Sequence, residues 1–177
     1  MLTDFKDFAT NYVNNLSKVF TEECYDKIQL LCSDLLNVWS EGGNVYICGN
    51  GGSGANAIHI ANDLHYGVGA CGNPPVIVGL RVEALTANTA ILTCLGNDIG
   101  YENIFKHQLI VKAQKNDILI VLSGSGNSPN ILKALEYANQ VSMKTHGIFA
   151  FTGGKAIEIC KNSIHLKIDD MQIAEDS

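Results

Sequence analysis

Two loops rich in Ser and Gly carry the residues whose chemistry is most evident in this sequence. The first runs from Cys48 to Gly54 and reads CGNGGSG, and the second runs from Ser123 to Pro129 and reads SGSGNSP. Glycines permit tight turns and let backbone N–H groups approach an anion, while hydroxyl groups donate further hydrogen bonds. The two loops therefore predict a site that holds a phosphate group.

The serines of these loops are placed where helices are expected to begin. Ser123, Ser125 and Ser128 bring three hydroxyls to one predicted helix start, which is more donor capacity than a turn needs. Ser128 is a suitable N-cap, and Pro129 would then occupy the first helical position, where its missing N–H has no cost. In the first loop, Ser53 could serve either as an N-cap or as a phosphate-binding hydroxyl.

The sequences of the two loops also fit other kinds of site. Either loop alone would fit an ordinary turn between a strand and a helix, because Ser and Gly are common in turns. Residues 49–54 also match the GxGxxG dinucleotide fingerprint, which expects an acidic residue about 20 residues later, at the end of the next strand. The predicted strand at 76–80 is instead followed by Arg81, with Glu83 the nearest acid, and the sequence has no GK[ST] loop for a nucleoside triphosphate.

An imidazole and a carboxylate follow the first loop at helical spacing. His59 and Asp63 are four residues apart, so they share one face of a helix that starts at the phosphate loop. Such a pair can divide acid–base work, and a divalent metal such as Zn²⁺ could organise the same groups. A solvated helix face that carries the pair by chance remains an alternative. The histidines at positions 65, 107, 146 and 165 are expected to be structural.

The elements that must position these residues alternate between helix and strand. Continuous apolar runs indicate strands that are buried on both faces, and their alternation with helices predicts an α/β three-layer sandwich: a doubly wound, flavodoxin-like parallel sheet with N-terminal helices. Ligands bind outside the carboxyl ends of such strands, where both loops lie. Helices are predicted at 3–20, 22–40, 54–65, 84–95, 101–113 and 128–142, and strands at 45–48, 76–80, 117–122, 147–151 and 164–168, with residues 96–100 separating two of the helices.

Length, charge and composition narrow the class of protein. The 177 residues suit one domain, which we divide into N-terminal helices at 3–41, a sheet core at 44–168 and the start of a C-terminal helix from about 169. A net charge of −6 without a Lys/Arg-rich run argues against nucleic-acid binding. Neither a signal peptide nor a run of ~20 apolar residues is present, and the six cysteines form no C-x-x-C pair, so we expect a cytoplasmic protein without membrane contact.

The chain resembles the sugar isomerase (SIS) domain family, and within it the phosphoheptose isomerases. Five ordered motifs carry the resemblance: CGNGGS at 48–53, HxAxDL at 59–64, GNDxG at 96–100, SxSGNS at 123–128 and DxxQ at 169–172. The resemblance implies interconversion of sedoheptulose 7-phosphate and D-glycero-D-manno-heptose 7-phosphate, a step towards the heptose of lipopolysaccharide or capsule. It also implies a homotetramer with its sites at subunit interfaces.

The resemblance also implies roles for single residues. His59 and Asp63 would be catalytic, and together with Gln172 they would hold a metal ion such as Zn²⁺. The residues implied to contact the substrate or its phosphate are Asn50, Gly51, Gly52, Ser53, Asn97, Asp98, Ser123, Gly124, Ser125, Ser128, Asp169 and Gln172.

The chain departs from the family pattern at two of these positions. Asp63 stands where the isomerases have Glu, which withdraws the carboxylate by one methylene, roughly 1.5 Å. Gly124 replaces a hydroxyl-bearing residue, and the place of the family's later His falls past Ser177. A noncatalytic SIS module that binds a phosphosugar or a protein partner is therefore the alternative function, while the His59 and Asp63 pair and Gln172 favour the enzyme.

Overall fold

The computed structural model describes residues 4–68 and 77–177. The chain begins with two helices, and strands and helices then alternate up to a short C-terminal helix. In chain order the elements are α1 (Phe5–Lys18), α2 (Glu22–Glu41), β1 (Asn44–Gly49), α3 (Gly51–Asn62), a π-helical turn (Asp63–Gly67), β2 (Arg81–Ala84), α4 (Thr89–Ile99), a 3-10 turn (Tyr101–Asn103), α5 (Ile104–Lys112), β3 (Ile118–Ser123), α6 (Pro129–Gln140), β4 (Lys144–Phe149), α7 (Ala156–Ile159), β5 (Asn162–His165) and α8 (Met171–Asp176).

The five strands form one sheet in the order β2-β1-β3-β4-β5, and every neighbouring pair is parallel. Val45 of β1 pairs with Ile118 of β3, and Gly49 pairs with Leu122. From β1 the chain proceeds to β2 at one edge, whereas β3, β4 and β5 follow on the other side. The predicted α/β doubly wound class is confirmed, and the strand order reverses between β1 and β3, where such sheets bind ligands.

Alternate side chains of the central strands are buried on opposite faces of the sheet. Val45 and Ile47 of β1 pack in one cluster with residues of α2 and α3. Tyr46 and Cys48 belong to a second cluster with residues of α5, α6 and α7. Helices therefore cover both faces, and this accounts for the uninterrupted apolar sequences of β1 and β3.

The first and last helices meet at the β5 edge of the sheet. Val19, Ile164 and Ile173 are buried together in a third cluster that joins the end of α1, strand β5 and helix α8. The hydroxyl of Tyr12 donates a hydrogen bond to the Asp176 carboxylate, and this bond raises the pKa of Tyr12 to about 12. Helix α8 is thereby fixed against α1, with its other side towards α3.

The prediction of the second strand was wrong. A strand was expected at 76–80, but residues 77–80 are irregular and β2 occupies Arg81–Ala84, while Val76 lies outside the described residues. Ile77 and Val78 are exposed, at 58% and 85%. Among the described residues, strand β2 forms the edge of the sheet and has β1 as its one neighbour. Its sequence, RVEA, can therefore alternate charged with apolar residues, and it carries no continuous apolar run.

The helix predicted at 84–95 is also displaced. Its true start is Thr89, because the side chain of the N-cap Asn88 accepts a hydrogen bond from the Ile91 N–H at 3.1 Å. The helix runs on to Ile99, so most of the segment that was expected to separate two helices is helical. Gly100, at φ +89°, ends it in a conformation that favours glycine.

The remaining elements were predicted with shifted ends. Helix α3 begins three residues earlier than expected, at Gly51, and β4 begins at Lys144 instead of residue 147.

No helix within 4–68 or 77–177 combines the length and apolar character needed to cross a membrane. The cysteines at positions 24, 32, 48, 94 and 160 are free thiols.

Candidate functional site

The two Ser/Gly-rich loops lie side by side because they follow the adjacent strands β1 and β3. Between them is a cavity of about 150 Å³. The structure therefore brings together all four serines that were predicted to bind phosphate. The cavity is lined by Asn50, Ser53, Leu122, Ser123, Gly124, Ser125, Ser128, Met171 and Glu175.

The first loop turns sharply from β1 into α3. A Cβ atom on Gly49 would lie 2.6 Å from the carbonyl oxygen of Ser53, so only glycine permits this approach of strand and helix. Gly51 has a φ of +56°, which is again a conformation suited to glycine. The N-cap of α3 is Asn50, and the proposed N-cap role of Ser53 was wrong. Ser53 instead lies in the first turn, with its side chain at the cavity.

Asn50 does not use its side chain to cap α3. Its Nδ2 donates to Oδ1 of Asn130 at 3.0 Å, and Asn130 Nδ2 donates back to Asn50 Oδ1 at 2.8 Å. The hydroxyl of Tyr101 donates to the same Asn50 oxygen at 3.0 Å. Sequence reasoning missed Asn130 and Tyr101, because neither lies in a recognisable motif with Asn50.

The second loop directs its hydroxyls at the same cavity. Ser123 Oγ accepts from the N–H of Gly126 at 3.2 Å, and Ser125 Oγ accepts from the N–H of Asn127 at 3.4 Å. Each of these hydroxyls keeps its own proton for a ligand. Ser128 occupies the predicted N-cap position of α6, and its side chain forms no capping hydrogen bond. The loop is thus folded through hydrogen bonds that leave its donors available.

The charge around the cavity comes from backbone dipoles and one carboxylate. Helices α3 and α6 both begin at the cavity, and helix N-termini attract anions through their unpaired N–H groups. Among the described lining residues none is Lys or Arg, whereas Glu175 contributes a carboxylate. A phosphate in this cavity would be held by neutral donors.

Helix α8 closes the cavity on its third side. The backbone carbonyl of Glu175 accepts a hydrogen bond from Asn56 Nδ2 of α3 at 3.1 Å. A Cβ atom on Gly124 would lie 2.8 Å from the sulfur of Met171, so this methionine fills the space that a larger residue in the loop would need. Sequence reasoning placed Asp169 and Gln172 at the site and missed Met171 and Glu175, which line the cavity.

A second cavity of about 290 Å³ adjoins the first and shares Ser53, Ser123 and Glu175 with it. His59 is among its lining residues, whereas Asp63 is not. His59 Nε2 and Asp63 Oδ2 are 3.5 Å apart, and the two side chains are 76% and 57% exposed. Asp63 opens the π-helical turn that ends α3, a local feature that is frequent at functional sites.

The other predicted site residues lie outside both cavities. Asn97 donates to Asp98 at 2.8 Å in the last turn of α4, and Gln172 donates to Asp176 at 3.1 Å in α8. Asp169 is exposed just before α8. Within residues 4–68 and 77–177, no three His, Cys, Asp or Glu side chains are grouped so that they could hold a metal ion. The roles of these residues in substrate or metal binding stay predictions.

His146 belongs to a buried network at the other end of the sheet. Its Nε2 lies 2.9 Å from Oδ2 of Asp34, and its Nδ1 lies 2.8 Å from Nδ2 of Asn162. The amide donates to Nδ1, so the imidazole is neutral and its Nε2–H donates to Asp34. Burial lowers the pKa of His146, outweighing the opposite effect of the Asp34 carboxylate. This arrangement agrees with the structural role predicted for His146.

Comparison with known proteins identifies the family of this chain. The family model described as the SIS domain matches residues 8–150. The chain belongs to the SIS domain family. It is 40% identical over 139 residues to the phosphoheptose isomerase of Rhodospirillum rubrum, a match that covers 75% of this chain and 71% of that protein. It is also 37% identical over 141 residues to the phosphoheptose isomerase of Aneurinibacillus thermoaerophilus, a match that covers 78% of this chain and 68% of that protein. These relatives place the chain among the phosphoheptose isomerases of the SIS family, as the motifs had indicated.

Solved structures show the same SIS fold. The phosphoheptose isomerase of Francisella tularensis superposes with a TM-score of 0.82 at 27% identity, covering 98% of this chain and 91% of that one. The phosphoheptose isomerase of Neisseria gonorrhoeae gives a TM-score of 0.78 at 26% identity, with the same coverage of both chains. The likeness therefore extends over almost the whole chain.

Proposed function

We propose that this SIS-domain chain is an isomerase that interconverts sedoheptulose 7-phosphate and D-glycero-D-manno-heptose 7-phosphate. The observation that carries the proposal is the meeting of four serine side chains and the starts of α3 and α6 around one cavity, which adjoins a second cavity lined by His59. The relatives named as phosphoheptose isomerases support the choice of a heptose phosphate.

The two adjoining cavities suit an extended phosphosugar. The phosphate would occupy the smaller cavity, where hydroxyls and helix N-termini are its donors. The sugar carbons would extend past Ser53 into the larger cavity, towards the imidazole of His59. This direction puts the phosphate end and the reacting end of one substrate against different parts of α3.

Aldose–ketose isomerisation moves one proton between neighbouring carbons and one proton between their oxygens. A carboxylate can take the carbon-bound proton, while an imidazole can donate to the carbonyl oxygen and so stabilise the enediol that forms. His59 and Asp63 are the residues we assign to this work. Their atoms lie 3.5 Å apart and both side chains are accessible, so they could act on one substrate.

The same pair would contribute to a zinc site. Two ligands of a tetrahedral Zn²⁺, with bonds of about 2.0–2.1 Å, lie about 3.3 Å apart, close to the 3.5 Å between His59 Nε2 and Asp63 Oδ2. Gln172 is the third ligand that the family pattern suggests, and it would have to release its hydrogen bond to Asp176. When bound, the metal would polarise the carbonyl oxygen of the substrate in place of the His59 N–H, because a coordinated Nε2 has no proton to donate.

We further propose a homotetramer with its sites at subunit interfaces, working in the cytoplasm. His59 and Asp63 are open to solvent in a single chain, and a neighbouring subunit would shield them. Helix α1 also exposes Phe5, Phe8 and Val13, at 80%, 61% and 61%. An apolar helix face of this kind is typical of a surface that is covered in an assembly.

A direct assay tests the isomerase. The protein is incubated with sedoheptulose 7-phosphate, with added Zn²⁺ or with a chelator, and the aldoheptose phosphate is followed by NMR. Turnover that the chelator abolishes and Zn²⁺ restores would support both the activity and the metal. No turnover under either condition would contradict the isomerase.

A noncatalytic phosphosugar-binding module is the second candidate. It is favoured by the position of Asp63, which is not among the residues lining the cavity that holds His59. The same NMR sample separates the two functions: the module would bind sedoheptulose 7-phosphate and leave it unchanged.

A further inference from the structure

The N-cap residue of α3 has its side chain turned away from its own helix. Asparagine is among the preferred N-cap residues because its Oδ1 can accept from an N–H of the first turn. In this structure Asn50 Oδ1 accepts instead from Asn130 Nδ2 at 2.8 Å and from the Tyr101 hydroxyl at 3.0 Å. Both hydrogen bonds come from elements other than α3.

This orientation matters because a capping side chain and a bound anion compete for the same N–H groups. The first N–H groups of a helix have no partner within the helix, and they are taken either by a cap or by an anion. With Asn50 diverted, α3 receives no side-chain cap from the described residues. Its first turn, which includes Ser53 at the cavity, therefore has no capping side chain in competition with an anion, although the carboxylate of Glu175 lies beside Gly52.

Asn130 is well suited to hold Asn50 in this orientation. It is 1% exposed and lies in the first turn of α6, directly after Pro129. Its Oδ1 also accepts from the N–H of Ile131 at 3.0 Å, which fixes the direction of the amide. The reciprocal pair with Asn50 then links the first loop to the start of α6, which follows the second loop, through two hydrogen bonds.

Tyr101 also helps to hold the Asn50 side chain in this orientation. It follows Gly100 and contacts Asn50 at a third cavity of about 360 Å³, which none of the four serines lines. Its side chain is largely exposed, at 61%. Tyr101 is therefore not part of the core, and its hydroxyl contributes a hydrogen bond to Asn50.

We propose that Asn130, assisted by Tyr101, is a positioning residue that holds the Asn50 side chain away from the N-terminus of α3 and so keeps the N–H groups of that helix free to bind the substrate's phosphate. The proposal deepens the proposed function and rests on its phosphate cavity. Asn130 acts through Asn50, and neither Asn130 nor Tyr101 lines the cavity between the serines.

A double-mutant cycle with inorganic phosphate as the probe tests the proposal. Calorimetry would compare the wild type with Asn130→Ala, Asn50→Ala and the double variant. A released Asn50 can cap α3, and since a cap is worth about 1 kcal/mol, we expect Asn130→Ala to weaken phosphate binding about fivefold. Adding Asn50→Ala removes the competing cap and should return the affinity to that of Asn50→Ala alone.

The rescue separates positioning from a structural role. If Asn130 merely maintained the shape of the loop, the double variant would bind phosphate as weakly as Asn130→Ala, and this result would overturn the proposal. An unchanged affinity in folded Asn130→Ala would also overturn it. Thermal melting of each variant establishes that it is folded.

A surface substitution keeps the test decisive if Asn130→Ala does not fold. Tyr101→Phe removes only the hydroxyl that holds Asn50 Oδ1, and we expect a smaller loss of phosphate affinity, about twofold. Tyr25→Phe, at an exposed tyrosine of α2, is the matched control and should bind as the wild type does. Equal affinities of Tyr101→Phe and Tyr25→Phe would contradict the proposal.

The outcome can be separated from that of the isomerase. Phosphate binding requires no turnover, so the cycle gives its answer even if the wild type leaves sedoheptulose 7-phosphate unchanged. Where turnover is present, the proposal predicts that Asn130→Ala raises KM more than it lowers kcat, because the lost interaction is with the phosphate and not with the reacting carbons.

Discussion

The carboxylate of Glu175 lies against Gly52 in the first turn of α3. A Cβ atom on Gly52 would be 2.5 Å from Oε1 of Glu175, so the absence of a side chain on this glycine permits the contact. The carboxylate thereby lines the cavity to which we assign the phosphate. Two negative groups would then share one helix N-terminus, and Glu175 must weaken phosphate binding or move when phosphate enters.

Glu175→Gln is accordingly expected to strengthen phosphate binding several-fold, because the repulsion between two like charges is removed. Calorimetry with inorganic phosphate at low and high salt measures the effect, which should shrink as salt screens the charges. Glu158→Gln, at an exposed position of α7, changes the net charge equally and should have little effect. Weaker binding in Glu175→Gln would show that the carboxylate assists the ligand.

The hydroxyls of the second loop should be needed for affinity. Ser125→Ala combined with Ser128→Ala removes two donors from the cavity, and at about 1 kcal/mol for each hydrogen bond we expect binding of sedoheptulose 7-phosphate to weaken about tenfold or more. The matched control is Ser33→Ala with Ser40→Ala on the exposed side of α2, where both hydroxyls donate to carbonyls of their own helix. Unchanged affinity in the loop variant would remove this loop from the phosphate site.

The acid–base pair should govern turnover more than binding. His59→Ala and Asp63→Asn are each expected to lower kcat about 100-fold or more, since general acid–base groups contribute 10²–10⁴-fold. Both side chains are exposed, so the variants should melt as the wild type does. Asp63→Glu, which restores the longer carboxylate of the family, should retain turnover.

His107→Ala is the control for this series, because His107 lies in a separate groove between α4 and α5. It should keep the wild-type kcat. Full turnover in His59→Ala would exclude that residue from the mechanism.

Stability should fall as the pH is lowered below neutral, because of His146. Burial lowers the pKa of this histidine in the folded chain relative to its usual value of about 6.5. The unfolded chain therefore takes up the proton first as the pH falls below about 6.5, and the free energy of unfolding decreases until the folded pKa is reached. Urea unfolding at pH 7.5 and pH 5.5 measures the decrease.

His146→Asn is the variant that isolates this effect, since it replaces the imidazole by a polar group that does not titrate. We expect it to be less stable than the wild type at pH 7.5, and its stability should change less between the two pH values than that of the wild type. An equal pH dependence in both proteins would assign the change to other groups.

The central strands could be predicted from sequence, whereas the edge strand could not. Val45 to Cys48 and Ile118 to Leu122 are continuous apolar runs because helices bury both faces of β1 and β3. Within the part of the chain that the structure describes, β2 has one neighbouring strand, and Arg81 donates to the carbonyl of Gly42 at 3.0 Å without having to enter the core. The apolar run before it is exposed at Ile77 and Val78, so hydrophobicity alone pointed to the wrong segment.

In the candidate site, too, some residues could be predicted from the sequence and others could not. The serines could be predicted because they are concentrated in two short loops, each with a helix start after it. Asn130, Tyr101 and Glu175 could not, because their importance comes from contacts that only the folded chain creates. The spacing of His59 and Asp63 predicted their contact, since four residues along α3 bring them within 3.5 Å.

The pairing of β1 with β3 has a consequence for folding as well as for binding. These strands are neighbours in the sheet but are separated in the chain by α3, β2, α4 and α5. A partly folded chain in which β3 has not joined β1 has no complete phosphate cavity. Phosphate should therefore select the finished topology, raising the melting temperature by mass action and protecting the amide hydrogens of β1 and β3 together from exchange with solvent.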